Sequence, residues 1–278
     1  MTKALSAEAV ARYRANGFHK PFRVLSEEDA RLCRGRIEAF EAAHPDQVGK
    51  LDLKCNLLFP WVDEVTRHPR LLDAMEDLLG PDLLCWNASI RNKKALSPTY
   101  AGWHQDTRYI QIRPTGVIAF LALSPANEES GTVRVIPGSH KWDVLPHADT
   151  HDKDSILTRG QYITADFEKS TAVDLVLQPG EVGFFDHNIV HSSGPNNSRD
   201  RRMILLIGYY ATHSKPLDGR RVSAFVVRGT DNHRHFDVDP RPLKDFGPEE
   251  IANHRAAVEV QTKKLLFDGS DRTSIALS

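Results

Sequence analysis

Two distant segments of the chain carry the side chains best suited to metal chemistry. The first is Trp103-His-Gln-Asp106, and the second starts at His191. In an extended strand, side chains at positions i and i+2 share a face, so His104 and Asp106 can bind one ion while Gln105 points away. With His191 they would form a set of two imidazoles and one carboxylate. This set suits a non-haem Fe(II) ion and leaves coordination positions open for oxygen and a co-substrate.

The third ligand has a competitor in the sequence. His187 follows the apolar segment 182–185 and is the alternative to His191. We favour His191 because it precedes a turn and then the strand that begins at Arg202. A ligand and a charged side chain could therefore lie on adjacent strands.

Arg202 is the first residue of the apolar run 203–207. A guanidinium at the start of a buried strand requires an anionic partner, and its planar group can donate two charge-assisted hydrogen bonds to one carboxylate. An acidic side chain of the protein would be the ordinary partner. Beside the metal site, we expect Arg202 to bind the carboxylate of a small molecule. Arg201 is the alternative, with its side chain on the opposite face.

The charge of the chain limits its partners. The 278 residues include 36 basic and 37 acidic side chains, which give a formal net charge of -1, and no long block of one sign occurs. This balance argues against nucleic acid or an anionic membrane as the main partner. A small-molecule substrate fits better.

Cysteine content and the start of the chain indicate a reducing compartment. Cys33, Cys55 and Cys85 are odd in number and lack the spacing of a metal site. The segment from Ser6 reads as a helix start rather than a signal peptide, and no apolar run approaches the roughly 18 residues that span a bilayer. We expect a cytoplasmic protein that does not enter a membrane.

Capping residues and apolar spacing predict helices at both ends of the chain. Serines stand at two predicted N-termini, proline at two first turns, and glycine at two ends. The predicted helices are residues 6–16, 26–44, 69–79 and 248–266.

The middle of the chain reads as short strands separated by proline and glycine turns. This pattern of short strands and turns predicts a mainly β sandwich or jelly roll rather than an alternating α/β sheet. Residues 141–170 form a long polar insertion, typical of a lid. We expect one domain, with a helical part at about 1–80, a jelly-roll core at about 82–228 and a C-terminal extension at about 229–278. The predicted strands are 83–91, 117–123, 132–136, 171–177, 182–186, 202–211 and 222–227.

As a set, five segments resemble the phytanoyl-CoA dioxygenase family of Fe(II)- and 2-oxoglutarate-dependent oxygenases. The resemblance covers about residues 8–212 and implies a double-stranded β-helix, a jelly roll whose mouth holds iron. The segments are Trp103-His-Gln-Asp106, Val117-Ile-Ala-Phe-Leu-Ala-Leu-Ser124, Gly131-Thr-Val-Arg-Val-Ile-Pro-Gly-Ser-His140, Gln178-Pro-Gly-Glu-Val182 and His191-Ser-Ser-Gly-Pro-Asn-Asn-Ser198 with Arg202.

The resemblance also implies roles for individual residues. His104, Asp106 and His191 look like the iron ligands and catalytic centre. Arg202 looks like the residue that binds the distal carboxylate of 2-oxoglutarate, and Ser193 resembles the family's hydroxyl contact to that co-substrate. Lys54 falls where some members place a co-substrate lysine. Phe120 is a departure, since some members have tryptophan there.

The implied reaction uses O2 and 2-oxoglutarate and releases succinate and CO2. We expect hydroxylation of an aliphatic carbon, because the carboxylate of Asp106 occupies the position at which related halogenases admit chloride. Alternatives are an acyl-CoA 2-hydroxylase of the phytanoyl-CoA type and a catalytically silent, cupin-like metal- or ligand-binding protein. A non-oxidative jelly-roll isomerase is a further alternative.

We expect the substrate to be a small polar metabolite with an anionic group, such as an amino-acid derivative or an organophosphonate. Several cations lie on or beside predicted strands, and a buried cation is costly unless an anion meets it. No extended basic cluster is present to hold the phosphates of coenzyme A. Two aromatic residues that flank the metal segment could form walls of the pocket. The candidate substrate residues are Lys54, Arg91, Lys93, Arg134, Trp103 and Tyr109.

Overall fold

The computed structural model describes residues 2–217, 219 and 221–261. Within these residues the helices lie at the two ends of the chain. Four of them precede the β-sheet core and the fifth follows it. The helices are α1 (Ala7–Asn16), α2 (Glu27–Ala43), α3 (Pro60–Thr66), α4 (Pro69–Leu79) and α5 (Pro248–Gln261).

Local capping explains where these helices begin and end. Ser6 accepts a hydrogen bond from the backbone N–H of Ala9, and Ser26 accepts one from Asp29, so each serine satisfies a backbone donor that the first turn leaves open. Gly17 ends α1 at φ 80°, a conformation that glycine adopts without steric cost. The predicted terminal helices are confirmed, and the last five positions predicted for the closing helix, 262–266, lie outside the described residues.

The strands fill the middle of the chain, and β1 alone precedes α2. They are β1 (Phe18–Arg23), β2 (Leu83–Lys93), β3 (Ala101–His104), β4 (Ile112–Arg113), β5 (Val117–Ala122), β6 (Val133–Val135), β7 (His147–Ala148), β8 (Tyr162–Ile163), β9 (Val173–Asp174), β10 (Glu181–Asp186), β11 (His191–Ser193), β12 (Arg202–Ala211), β13 (Lys215–Pro216), β14 (Ser223–Arg228) and β15 (Asp237–Val238).

Two sheets form the jelly roll. The larger has the order β1-β10-β5-β12-β2-β14-β15, and the smaller has the order β3-β11-β6-β9. Neighbouring strands in both sheets are antiparallel except β14 and β15, which are parallel. The predicted mainly β fold, a double-stranded β-helix with flanking helices, is confirmed.

Alternate residues of the larger sheet face two different cores. On β12, Ile204 packs with Phe120 and Val135 between the sheets, whereas Leu205 packs with the helical side, which includes Met75. This alternation follows from the two-residue period of a strand. Because both faces are covered, the central strands are apolar throughout rather than alternating, as the run 203–207 shows.

The predicted strand 171–177 is shorter in the structure, where only β9 is regular. The polar insertion 141–170 also contains a small hairpin, in which β7 pairs with β8. No helix among the described residues is long and apolar enough to cross a membrane.

A buried ion pair joins the N-terminal part of the chain to its C-terminal part. Lys54 Nζ lies 2.6 Å from Asp239 Oδ2, and the two side chains are 1% and 3% exposed. Lys54 Nζ also donates to the carbonyl of Ser223 at 2.9 Å. Removing one member of such a pair leaves the other charge buried without a partner.

We therefore expect Asp239→Asn to destabilise the fold by about 3–5 kcal/mol, the typical cost of breaking a buried ion pair on one side. Asp237→Asn is the matched control, because Asp237 forms an exposed pair with Arg221 that contributes at most about 1 kcal/mol. Urea unfolding of the two variants measures the difference. Equal, small losses for both would contradict the assignment of Lys54 and Asp239 as a structural pair.

Candidate active site

Three side chains converge at one end of the smaller sheet. Pairing of β3 with β11 sets His104 directly opposite His191, and the ring centroids are 4.1 Å apart. Asp106 Oδ1 lies 3.4 Å from Nε2 of His104 and 4.0 Å from Nε2 of His191. One ligand atom from each residue lies within 4.8 Å of the others, a spacing that could hold a metal ion.

The local backbone differs in one respect from the sequence prediction. Strand β3 ends at His104, and Asp106 begins a short 3-10 turn. Gln105 between them is extended, with φ -122° and ψ 125°, so the i, i+2 relation is kept although Asp106 is outside the strand.

Backbone carbonyls orient both imidazoles. Nδ1 of His104 lies 2.7 Å from the carbonyl of Gly102, and Nδ1 of His191 lies 3.0 Å from the carbonyl of Ile189. Because a carbonyl only accepts, each Nδ1 carries the proton, and each Nε2 keeps its lone pair for a metal.

Burial lowers the pKa of the His191 imidazole to about 4, with His104 acting in the same direction. Burial by itself would raise the pKa of Asp106, but His191 and His104 bring it well below its ordinary value. At neutral pH the site therefore presents neutral His191 and an anionic carboxylate, the protonation states that metal ligands require.

Hydrogen bonds of two buried amides, which the sequence analysis did not predict, hold the segments that carry the ligand candidates. The amide of Gln105 donates to the carbonyl of Asn188 at 3.0 Å and accepts from the backbone N–H of Leu145 at 2.8 Å. The Asn188 amide donates to the carbonyls of His140 and Trp142, each at 2.9 Å. The one sequence feature that could have indicated this network is the polar residue Gln105 between the two ligand candidates His104 and Asp106.

Arg202 lies in the same interior as the three ligand candidates. Its residue surface is 2% exposed, and its Nη1 donates to the carbonyl of Gly131 at 2.8 Å. Its guanidinium carbon lies 5.7 Å from the ring centroid of Phe120. Nε has no hydrogen-bond partner, and no carboxylate of the described residues lies within ion-pair distance. Burial lowers the pKa of Arg202 to about 10, with Arg91 acting in the same direction, and this leaves a buried cation without an anion.

The two alternatives from the sequence reach the wall of the same cavity but have other partners. Arg201 is already paired with Glu41, which accepts two hydrogen bonds from it, at 2.6 and 2.9 Å. His187 is not in the metal cluster, and its ring stacks on Tyr210 with centroids 4.8 Å apart.

One cavity of about 660 Å³ joins these groups. The side chains on its wall come from the smaller sheet, the larger sheet, the N-terminal part and the insertion 141–170. Among the lining residues are His104, Asp106, His191, Ser193, Arg202, Phe120, Tyr109, Arg91, Asp52, Trp86, His187, Leu157 and Gln161.

The structure places two predicted lysines differently from the sequence interpretation. Lys54 pairs with Asp239 and does not line the cavity, so the co-substrate role implied by the family resemblance is not supported. Lys93, which we assigned to the substrate, is fully buried at the Arg202 end, where its Nζ donates to Ser193 Oγ at 2.8 Å and to the carbonyl of Gly194.

Two further substrate candidates lie outside the cavity. Trp103 packs edge-on against Phe167, with centroids 5.6 Å apart, under the insertion. Arg134 points outward from β6, where Nε lies 3.2 Å from Asp174 Oδ1. Neighbouring residues of a strand face opposite sides, so these two side chains point away from the cavity. Tyr109 does line the cavity.

Arg91 and Asp52 face each other on the cavity wall. Arg91 Nη1 lies 3.6 Å from Asp52 Oδ1, beyond hydrogen-bond distance, and the side chains are 29% and 16% exposed. Burial raises the pKa of Asp52 to about 6, while Arg91 opposes that change. Within the described part of the chain, the Arg91 guanidinium donates no hydrogen bond. Arg91 is therefore a cation with open donors in contact with the cavity.

The donor set fits a metal ion bound at one face. Two neutral imidazole nitrogens and a carboxylate are the ligands of non-haem Fe(II) oxygenase sites, which keep other positions open. The unpartnered Nε of buried Arg202, beside the Ser193 hydroxyl, fits the carboxylate of a co-substrate.

Comparison with known proteins agrees with this geometry. A non-haem monooxygenase, ThoJ in its apo form, superposes with a TM-score of 0.83 at 29% identity, covering 92% of this chain and 96% of that chain. CytC3 with Fe(II) and α-ketoglutarate superposes with a TM-score of 0.67 at 21% identity, covering 88% and 97%, a likeness of fold.

Curated relatives match part of their own length. A probable α-ketoglutarate-dependent hypophosphite dioxygenase of Stutzerimonas stutzeri is 30% identical over 168 residues, 59% of this chain and 58% of the relative. The peroxisomal phytanoyl-CoA dioxygenase of Homo sapiens is 29% identical over 192 residues, 66% of this chain and 54% of the relative. The chain thus spans somewhat more than half the length of these relatives. The family model of phytanoyl-CoA dioxygenase matches residues 3–204, and the chain belongs to that family.

Proposed function

We propose that this protein is an Fe(II)- and 2-oxoglutarate-dependent dioxygenase that hydroxylates an aliphatic carbon of a small metabolite with an anionic group. One observation carries the proposal. A single cavity contains a metal-binding triad, a buried guanidinium without a carboxylate partner, and a second cation with open donors. A silent binding protein has no need for a buried, unpaired Arg202.

His104, Asp106 and His191 would hold the metal at one face. An iron(II) ion held there supplies, with O2 and 2-oxoglutarate, the oxidising chemistry that converts C–H to C–OH and releases succinate and CO2. Arg202 would bind the distal carboxylate of 2-oxoglutarate with its free Nε–H, and Ser193 would donate its hydroxyl proton to the same group. The ring of Phe120, 5.7 Å from the guanidinium carbon of Arg202, would give the co-substrate an apolar wall at this end.

Arg91 would bind the anionic group of the substrate. Its guanidinium is held loosely by Asp52, so an entering carboxylate or phosphonate can take the open donors. The cavity of about 660 Å³ accommodates a small metabolite beside the co-substrate. Two relatives act on small molecules by their names: the hypophosphite dioxygenase, and the L-proline trans-4-hydroxylase of Streptomyces griseoviridis, 25% identical over 84% of this chain and 96% of the relative. These names support the proposal of a small polar substrate.

The choice of third ligand is tested by the pair His191→Ala and His187→Ala. We expect His191→Ala to weaken Fe(II) binding by at least about tenfold, the lower bound for loss even of a supporting group around a metal. His187→Ala should bind iron as the wild type does, because its ring stacks on Tyr210 outside the cluster. Anaerobic equilibrium dialysis with Fe(II) measures both affinities. The reverse order of effects would show that His187 is the ligand.

The co-substrate site is tested by anaerobic titration of the Fe(II)-loaded protein with 2-oxoglutarate, followed through the visible charge-transfer band of the bidentate keto acid. We expect the wild type to show this band. Arg202→Met should raise the 2-oxoglutarate concentration required by about two orders of magnitude or more, in line with the roughly 3–5 kcal/mol cost of breaking a buried ion pair on one side.

Arg201→Met is the matched control for Arg202→Met. Arg201 forms a partly exposed pair with Glu41, so this variant should titrate within about fivefold of the wild type. No band in the wild type would favour the silent binding protein. Equal titrations of the Arg202 variant and the wild type would refute the role of Arg202.

The substrate class is tested by screening succinate formation against amino-acid derivatives, organophosphonates and acyl-CoA thioesters. We expect turnover with a small anion. Arg91→Met should raise the KM of that substrate by about tenfold or more, the effect of losing one charge-assisted hydrogen bond.

Arg134→Met serves as the control for Arg91→Met, because Arg134 lies on the outer face of β6, and its KM should stay at the wild-type value. Turnover of acyl-CoA thioesters alone would instead favour the acyl-CoA 2-hydroxylase.

A further inference from the structure

Two buried cations stand side by side at the inner end of the cavity, where Arg202 lines the wall and Lys93 lies behind Ser193. Lys93 of β2 is paired directly with Arg202 of β12 in the antiparallel register, so their side chains point to the same face. The two residues are 0% and 2% exposed. Neither forms an ion pair with a carboxylate of the described residues, although burying two uncompensated like charges is strongly unfavourable.

The hydrogen bonds of Lys93 account for only two N–H groups. Its Nζ donates to Ser193 Oγ at 2.8 Å and to the carbonyl of Gly194. A neutral amine has two N–H donors and one lone pair, so these two acceptors satisfy both of its donors. Protonation adds a third N–H, for which the described residues provide no acceptor.

The charged groups around Lys93 do not favour its protonation. Burial lowers the pKa of Lys93 to about 6, and the charge of Arg202 acts in the same direction. Nearby carboxylates are taken by other cations, since Glu41 pairs with Arg201 and Asp200 with Arg34.

We propose that Lys93 is a neutral amine in the free enzyme and takes up a proton as 2-oxoglutarate binds, so that co-substrate binding is coupled to protonation of this lysine. The inference rests on the proposed function. The entering distal carboxylate brings the missing anion next to Arg202 and Ser193. One N–H bond forms on Lys93, the proton comes from solvent, and no other bond changes.

Lys93 is in this sense a positioning residue that acts through Ser193. Because its N–H donates to Ser193 Oγ, the hydroxyl proton of Ser193 is free to point at the carboxylate. Gly131 lies close to the carbonyl of Gly194, since a Cβ at residue 131 would lie 2.4 Å from that oxygen. The backbone segments that bind the two cations are therefore in contact. Arg202 donates to the carbonyl of Gly131, and Lys93 donates to the carbonyl of Gly194.

Proton uptake is measured by anaerobic calorimetric titration of the Fe(II)-loaded wild type with 2-oxoglutarate in buffers of different ionisation enthalpy. A group whose pKa rises on binding takes up its proton between the free and the bound pKa. Uptake should therefore approach one proton per 2-oxoglutarate at about pH 8 and fall towards zero at about pH 5.5, below the free pKa of about 6. The Kd should rise with pH over the same window.

Lys93→Met removes the titrating group while keeping an unbranched side chain. We expect proton uptake at about pH 8 to be lost, the Kd to become independent of pH, and affinity near pH 6 to fall about ten- to a hundredfold, the effect of losing one charge-assisted hydrogen bond. Lys94→Met is the matched control, because Lys94 is the exposed neighbour. It should keep wild-type uptake.

The outcomes separate the two proposals. Binding of 2-oxoglutarate by the wild type without proton uptake at about pH 8 overturns the role of Lys93 and leaves the proposed function standing. Equal uptake in Lys93→Met and the wild type also overturns it. No binding of 2-oxoglutarate by the wild type overturns the proposed function and this inference together. If Lys93→Met does not fold, the wild-type pH series alone decides.

Discussion

The metal site depends on the register between β3 and β11. His104 and His191 meet because they are directly opposite residues of an antiparallel pair, and extended Gln105 then carries the chain to Asp106. β11 is also paired on its other side with β6, where His191 is opposite Val135. A slip of one residue would turn the side chain of His191 to the other face of the sheet, so two flanking strands fix the one register that assembles the site.

Side-chain hydrogen bonds then limit the freedom of the segments that carry the ligands. Gln105 links the ligand segment to Asn188, which precedes His191, and to Leu145 in the insertion. The insertion that lines the cavity is thus tied to the same amide that separates two ligands. A site held by strands and buried amides keeps its geometry better than one on free loops, and here one ligand atom from each of the three residues lies within 4.8 Å of the others.

The sequence predicted much of the fold and the metal triad, because both depend on local patterns. Strand β12 appears within the predicted bounds 202–211, and the histidine and aspartate ligands are recognisable by type and spacing. The partners of the buried lysines could not be predicted from the sequence. Lys54 finds its anion 185 positions later at Asp239, a distance over which no local pattern acts. Lys93 stands opposite Arg202, and only the strand pairing reveals this. Without that pairing, the sequence analysis assigned Lys93 to the substrate. The division of the chain into one domain with three parts stays a prediction.

The exposure of the charged side chains distinguishes two parts of the cavity wall. At the inner end the residue surfaces of Lys93 and Arg202 are at most 2% exposed, so an anion there interacts with them through a medium of low polarity. The side chains of Arg91 and Asp52, on the adjoining part of the wall, are 29% and 16% exposed, and water screens the charges there more strongly. An anion at the inner end should therefore be bound more selectively than one at Arg91. This difference suits an enzyme that uses one fixed dicarboxylate co-substrate.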